Sequence, residues 1–283
     1  MVIRWGARRD VPERCWYIES YLAHPNTRPL YVPLVSSNPT RPHDDDLSHD
    51  GGWSASAAAW LEDVEQNLTR KMLDPLILDL CGDVRHRHTI DVGCGEGRFS
   101  RMLAERGARA TGIDPTTALL TVARDRGSIS PIRAIAEQMP FRDAAFDVAV
   151  TYITLVDIEG YAEAIREMAR LLRPGGRLIA VNVNFTSASV DPDNGWHRDD
   201  DGNALFVPID NYGSEWSTIL EWRGIRIRNW HRPLSAYMTA YLHAGLTLRR
   251  FLEPTPPESL RTHLEFSRAF RVPWFTVMLW EKP

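Results

Sequence analysis

The residues with the clearest chemical potential lie in one stretch, Thr89-Ile90-Asp91-Val92-Gly93-Cys94-Gly95-Glu96-Gly97-Arg98-Phe99. Gly93, Gly95 and Gly97 fall at every second position, so the backbone can bend tightly and approach a ligand with no Cβ in the way. A helix through Phe99, Met102 and Leu103 follows, and its free N–H groups point at whatever fills the turn. The stretch reads as a strand–loop–helix cradle for a ligand. Two familiar patterns are excluded. The dinucleotide fingerprint needs glycine at its first, third and sixth positions, and the sixth position here is Arg98. The phosphate loop ending in Gly-Lys-Ser/Thr is absent. Cys15, Cys81 and Cys94 and the nine histidines show no metal-ligand spacing, so no metal is expected. Cys94 occupies a place in the turn that calls for a small residue.

The elements that must position this cradle follow from periodicity. Strand and helix signals alternate over Thr89–Val92, Phe99–Arg106, Ala110–Ile113, Thr117–Arg126, Ile132–Ile135, Phe146–Thr151, Tyr161–Leu172 and Arg177–Val183. Such alternation implies an α/β fold with parallel strands and crossover helices. Ahead of it, Ser54 opens a helical pattern through Ala58, Leu61, Val64 and Leu68. A second helix is expected from about Pro75 through Leu76, Leu80 and Val84, with the proline in its first turn. Residues 1–50 are proline-rich with a short helix over Val11–Leu22, and read as an arm laid over a neighbouring site. Beyond Val183 a polar loop over 184–203 leads to strands at Ala204–Pro208, Glu215–Trp222 and Ile225–Trp230, the last two joined by a hairpin at Arg223-Gly224. A helix over Ser235–Ala244 is closed by Gly245. Strands Thr247–Leu252 and Val272–Trp280 form a closing antiparallel pair, with a helix near Glu258–Phe270 between them. The expected organisation is therefore an arm with flanking helices (1–85), a core (86–183), an insertion (184–230) and a completion of the core (231–283).

The chain has 283 residues, 43% hydrophobic and 25% charged, ordinary values for a globular protein with a large core. A net charge of −4 argues against a general nucleic-acid binder. No segment resembles a signal peptide or reaches transmembrane length, and the cysteines make no even disulfide set. A cytoplasmic protein that does not engage a membrane is expected.

An acidic residue followed by Gly-x-Gly-x-Gly resembles motif I of the class I S-adenosylmethionine-dependent methyltransferases. Further motifs follow in order. They are Thr111-Gly112-Ile113-Asp114-Pro115, then Ala136-Glu137-Gln138-Met139-Pro140-Phe141 with Ala145-Phe146-Asp147-Val148. Arg170-Leu171-Leu172-Arg173-Pro174-Gly175-Gly176, His231-Arg232-Pro233-Leu234-Ser235 and Ala244-Gly245-Leu246 complete the series. The resemblance runs from about Thr89 to Leu252 and is to small-molecule, UbiE-like members. It implies a Rossmann-like seven-stranded sheet with an N-terminal helical arm and a β-rich insertion between strands five and six. It also implies S-adenosyl-L-methionine as cofactor, with S-adenosyl-L-homocysteine as product. Asp114 would accept hydrogen bonds from the ribose hydroxyls, which suits a carboxylate because its oxygens only accept. Asp91 would face the methionine amine. Gly93, Cys94, Gly95, Pro115, Ala136, Glu137, Thr151 and Tyr152 would complete the cofactor site. Three features depart from the family. Ile135 replaces a frequent Asp or Asn, Thr151-Tyr152-Ile153-Thr154 is not the nucleobase-amine motif Asn-Pro-Pro-Tyr, and Asp157 stands where many relatives carry histidine.

The implied reaction is methyl transfer to oxygen or nitrogen of a small organic molecule. Tyr152, His197 and His231 are candidates for a general base, and Tyr21, Trp196, Tyr212 and Tyr237 for contacts to the acceptor. The arm and the insertion would close over that acceptor, or the hairpin within 204–230 would form a homodimer interface. One alternative is a non-methylating enzyme on the same fold, a cyclase or decarboxylase. An RNA or protein methyltransferase is disfavoured by the acidic balance and the missing nucleobase motif.

Overall fold

The computed structural model describes residues 51–66, 68–188, 196–262 and 266–283. The Val11–Leu22 helix and the arm lie outside them. In chain order the elements are α1 (Trp53–Gln66), α2 (Leu68–Cys81), β1 (His88–Val92), α3 (Arg98–Glu105), β2 (Arg109–Asp114), α4 (Thr117–Arg126), β3 (Ser130–Arg133) and β4 (Phe146–Tyr152). They continue with α5 (Tyr161–Leu171), β5 (Leu172–Val183), α6 (Phe185–Ala188), β6 (His197–Arg198), β7 (Ala204–Phe206), β8 (Trp216–Trp222), β9 (Ile225–His231), α7 (Leu234–His243), β10 (Thr247–Leu252) and β11 (Phe275–Glu281).

One seven-stranded sheet runs β10-β11-β5-β4-β1-β2-β3. Strands β3, β2, β1, β4 and β5 are parallel, while β11 is antiparallel to both β5 and β10. Helices cover both faces, which is why β1 and β4 are buried almost throughout. Successive residues feed opposite cores. Val148, Val150, Ile179 and Val181 pack with Leu73, Ile77, Phe99 and Leu103 of α2 and α3. Ala149, Leu178 and Ala180 pack with Ile165 and Met168 of α5 and Tyr237 and Tyr241 of α7. Strand order reverses at β1, whose neighbours are β4 and β2, so the crevice at its carboxyl end is where such sheets bind ligands.

The insertion is β-rich as expected and forms two separate two-stranded sheets, β6–β7 and β8–β9. The β8–β9 hairpin is tied to α1. Ser56 Oγ accepts from the Arg226 amide (3.0 Å) and donates to its carbonyl (3.1 Å), and the Arg228 amide donates to the Gly51 carbonyl (2.9 Å).

Four expectations need correction. The stretch 184–203, expected as a loop, carries α6 and the short strand β6. Helix α2 starts at Leu68, and Pro75 sits inside it, not in its first turn. Pro75 supplies no N–H to the ladder, and the buried side chains on either side of it, Leu73, Ile77 and Leu78, hold the helix against the sheet through the break. Strand β3 ends at Arg133, not Ile135. The chain leaves the sheet where the Ala134 amide bonds the Asp114 carbonyl (3.3 Å), and Ile135 bridges to Gln138 instead. In place of a helix over Glu258–Phe270, the described residues form two short 3-10 turns, Glu258–Leu260 and Ser267–Phe270. The first follows Pro254, Pro256 and Pro257, which leave few amides to start an α-helix.

Candidate cofactor and acceptor site

From β1 the chain turns through Gly93, Gly95 and Gly97, with φ of +77°, +55° and +81°. The amides of Gly93 and Cys94 both donate to the Ile113 carbonyl at 2.9 Å, fastening the turn to β2. At Gly93 a Cβ would lie 2.2 Å from Thr154 Cγ2, so the segment after β4 packs directly against this glycine. At Gly95 a Cβ would meet only ordinary neighbours, Trp60 Nε1 at 3.6 Å and Leu119 Cδ1 at 3.9 Å. Buried Glu96 holds the turn's far side by pairing with Arg101 (2.6 Å) and Arg126 (2.7 Å).

Two carboxylates flank the turn. Asp91 is buried and accepts the Ser100 hydroxyl at 2.7 Å. Burial pushes its pKa up to about 6 against the opposing pull of that hydrogen bond. Asp114 ends β2 with Oδ2 on the Gly95 amide (2.9 Å) and Oδ1 on the Thr116 amide (2.8 Å). Each carboxylate oxygen has acceptor capacity for more than one hydrogen bond, so Asp114 can hold the turn and still take a ligand hydroxyl.

Both carboxylates line a cavity of about 560 Å³, within the range of small-molecule sites. Gly93, Cys94, Gly95, Pro115, Ala136, Glu137 and Tyr152, all expected at the cofactor, line it too. Thr151 does not; it is fully buried in β4. Ile135, half exposed at 50%, offers the cavity an apolar face where relatives often place a polar side chain.

The proposed bases separate sharply. Tyr152 lines the cavity, but its single hydroxyl proton is shared between Asp74 Oδ1 (3.1 Å) and the Arg70 carbonyl (3.2 Å). Burial, then neighbouring Asp74, push its phenol above the ordinary value, so it does not ionise near neutrality. His231 is buried away from the cavity against Trp216 and Tyr212, with Nε2 on the Tyr212 carbonyl at 2.9 Å. Burial lowers its pKa, keeping the imidazole neutral. His197 is exposed and stacks on Phe206 (4.7 Å). Among the acceptor-contact candidates, Trp196 lines a separate hollow of about 210 Å³ with Phe206 and Arg271. The Tyr212 hydroxyl accepts from the Leu234 amide (3.0 Å), and Tyr237 is buried beneath Arg232. Tyr21 lies outside the described residues.

Most of the residues that build the other wall were not singled out as site residues from the sequence. Trp53 and Trp60 of α1, Arg70 of α2, Arg98, Thr154, Asp157, and Arg228 and Trp230 of β9 all line the cavity. Trp53 and Trp60 meet edge-to-face at 5.2 Å, and the Arg70 guanidinium lies 4.6 Å from the Trp60 ring centroid. Arg98 is held by buried Asp74 through two bonds of 2.5 and 3.0 Å. The signals were present as a seven-residue Trp spacing on one helix face and an Arg-x-Trp alternation on a strand, but neither says what the face covers.

A parallel sheet reversing at β1, a glycine turn on its carboxyl end and an acidic residue closing β2 form the arrangement found in class I S-adenosylmethionine-dependent methyltransferases. Residues 90–180 match the family model described as a methyltransferase domain. The Ubiquinone biosynthesis O-methyltransferase of Alkalilimnicola ehrlichii is 28% identical over 162 residues, 54% of this chain and 64% of that protein. The Ubiquinone/menaquinone biosynthesis C-methyltransferase UbiE of Vibrio vulnificus is 31% identical over 126 residues, 41% of this chain and 47% of that protein. The chain thus spans between about a third and two thirds of the length of the curated relatives it matches. The fold is shared with an S-adenosylmethionine-dependent methyltransferase structure from Mesorhizobium loti. That match has a TM-score of 0.68 and 24% identity, and covers 76% of this chain and 100% of that one. The cofactor of this class is S-adenosyl-L-methionine, and the residues present fit it: a carboxylate for a diol, a turn open at Gly95, and a half-exposed isoleucine for a flat base.

Proposed function

We propose that this protein transfers a methyl group from S-adenosyl-L-methionine to oxygen or nitrogen of a small organic molecule. The observation that carries the reading is Asp114, which holds the Gly95 and Thr116 amides while lining the cavity. In this reading Asp114 takes the ribose hydroxyls and Asp91 the methionine amine. Ile135, Ala136 and Glu137 surround the base, while Gly93, Cys94, Gly95, Pro115 and Tyr152 form the floor. Thr151 contributes only by packing beneath it. The bound cofactor supplies an electrophilic methyl carbon on a positively charged sulfur. The chain's task is alignment, worth roughly 7–11 kcal/mol when the acceptor is held in near-attack geometry, together with exclusion of water by α1 and the β8–β9 hairpin.

A small acceptor is favoured by the cavity's enclosure between α1 and β9, and by relatives named for quinone biosynthesis. Those two relatives are named for transfer to oxygen and to carbon, so the atom methylated must be found by experiment. Incubation with methyl-tritiated cofactor and a panel of phenols, amines and carboxylic acids is expected to place label in an organic product. Uptake of S-adenosylhomocysteine without methyl transfer to any acceptor would favour the non-methylating alternative. A homodimer through 204–230 belongs to the same proposal, because Leu205, Phe206 and Ile209 are 48%, 55% and 49% exposed. Sedimentation of the wild type against Phe206→Asp tests it.

A further inference from the structure

Asp157 follows β4 and lines the same cavity. Three elements converge on it. Asn229 of β9 donates to its Oδ1 at 2.5 Å, the Trp53 side chain of α1 hydrogen-bonds its carboxylate, and its own amide donates to the Thr154 carbonyl at 2.9 Å. Next to it the Trp230 amide donates to the Val156 carbonyl at 2.6 Å, so the hairpin is fastened at this point. The indoles of Trp53, Trp60 and Trp230 line the cavity with it, which suits a flat, apolar ring.

We propose that Asp157 accepts the proton from a hydroxyl on a flat aromatic acceptor lodged among Trp53, Trp60 and Trp230. The proposal rests on the methyltransferase reading. The Asp157 carboxylate takes the hydroxyl proton as the acceptor oxygen forms its bond to the methyl carbon. The carbon–sulfur bond breaks and its electron pair stays on sulfur, so the positive charge lost there reappears as the proton on Asp157. A phenolic hydroxyl is protonated at neutral pH and needs such a partner. The groups facing Asp157 are Arg70 of α2 and Asp114 of β2, with Trp53 and Asn229 as hydrogen-bond donors. Burial raises its pKa well above the ordinary carboxylate range, and Arg70 opposes that rise. A raised pKa lets the carboxylate hold the transferred proton more firmly, and Arg70 favours the ionised form from which it can accept that proton.

The test uses two probes, catechol and thiophenol, with full-length protein at pH 8, where thiophenol is already ionised. The wild type is expected to methylate both. Asp157→Asn should lower kcat on catechol about 10²–10³-fold, the span of a lost general base, while changing transfer to thiophenol by less than about threefold. Its residual rate on catechol should rise with pH as the phenol itself ionises, and Asp157→Glu should restore part of the loss. Asn229→Ala removes a hydrogen bond to Asp157 but keeps the carboxylate, and is expected to retain most catechol activity. Equal loss on both probes in Asp157→Asn, or no loss on either, overturns the proposal. So does a wild type that takes up S-adenosylhomocysteine but methylates neither probe. Failure to take up S-adenosylhomocysteine at all overturns the methyltransferase reading beneath it.

Discussion

Replacing Gly93 by alanine should damage the site through a neighbour, not only through the ligand. The backbone there has φ +77°, and the new Cβ would stand 2.2, 2.4 and 2.8 Å from Thr154 Cγ2, Oγ1 and Cβ. The left-handed conformation costs an alanine about 1–2 kcal/mol, and forcing a methyl into a packed contact costs about 1–3 kcal/mol more. The sum, roughly 2–5 kcal/mol, should appear as a lower urea midpoint at unchanged m-value. Affinity for S-adenosylhomocysteine should also fall roughly tenfold or more, each factor of ten being about 1.4 kcal/mol. Gly95→Ala is the control. Its Cβ meets nothing closer than 3.6 Å, so only the conformational cost, about 1–2 kcal/mol, should appear, although cofactor affinity still drops. Adding Thr154→Gly to Gly93→Ala should recover the packing part in a double-mutant cycle, a coupling of about 1–3 kcal/mol. The reasoning is refuted if Gly93→Ala is no more destabilising than Gly95→Ala, or if the cycle closes with no coupling.

Asp91→Asn tests the buried carboxylate. Its pKa is raised to about 6 by burial, so its contribution to stability is fully present below the unfolded value near 4 and is lost as pH rises through 6. The variant should be more stable than wild type above pH 6, by an amount on the order of 2–3 kcal/mol, yet bind S-adenosylhomocysteine less tightly; urea midpoints that fall in parallel for both proteins between pH 4 and 7 would contradict this. Asp74→Ala strips Arg98 of two hydrogen bonds and Tyr152 of one. Loss of a largely buried pair costs about 3 kcal/mol, and a change below 1 kcal/mol in urea unfolding would show the cluster is dispensable. Burial pushes the Cys81 thiol up to about 12 and Cys94 upward as well. Both should therefore resist iodoacetamide at pH 8 in the folded protein, read by peptide mass mapping; rapid labelling of Cys94 would show that the turn opens, and of Cys81 that the end of α2 does.

The cofactor half of the site was legible because its constraints are local. Three alternating glycines, a strand-ending aspartate and the strand–helix alternation are written within a few residues of one another, and β1, β2 and β4 lie within a residue of where periodicity puts them. The acceptor half was not, because it is assembled from distant segments. Asp157 meets Asn229 across 72 positions of sequence, and Trp60 reaches the Gly95 turn from a helix ahead of the core. Histidines and tyrosines drew attention by chemistry alone, yet His231 is consumed by packing against Trp216 and Tyr212, Tyr237 of α7 by packing against Tyr161 and Phe185, and His197 by its stack on Phe206. The α2 boundary failed for a similar reason. Pro75 is a helix-start signal locally, and only the fold, which leaves it exposed while Leu73, Ile77 and Leu78 pack on either side, makes it tolerable inside.

Titration calorimetry of the full-length protein with S-adenosylhomocysteine tests the central claim most directly. One-to-one uptake is expected, together with a rise in unfolding temperature, and weakening by at least tenfold in an Asp114→Ala variant that keeps the wild-type far-ultraviolet spectrum. Absence of heat and of thermal stabilisation in the wild type, or unchanged affinity in Asp114→Ala, would contradict the account.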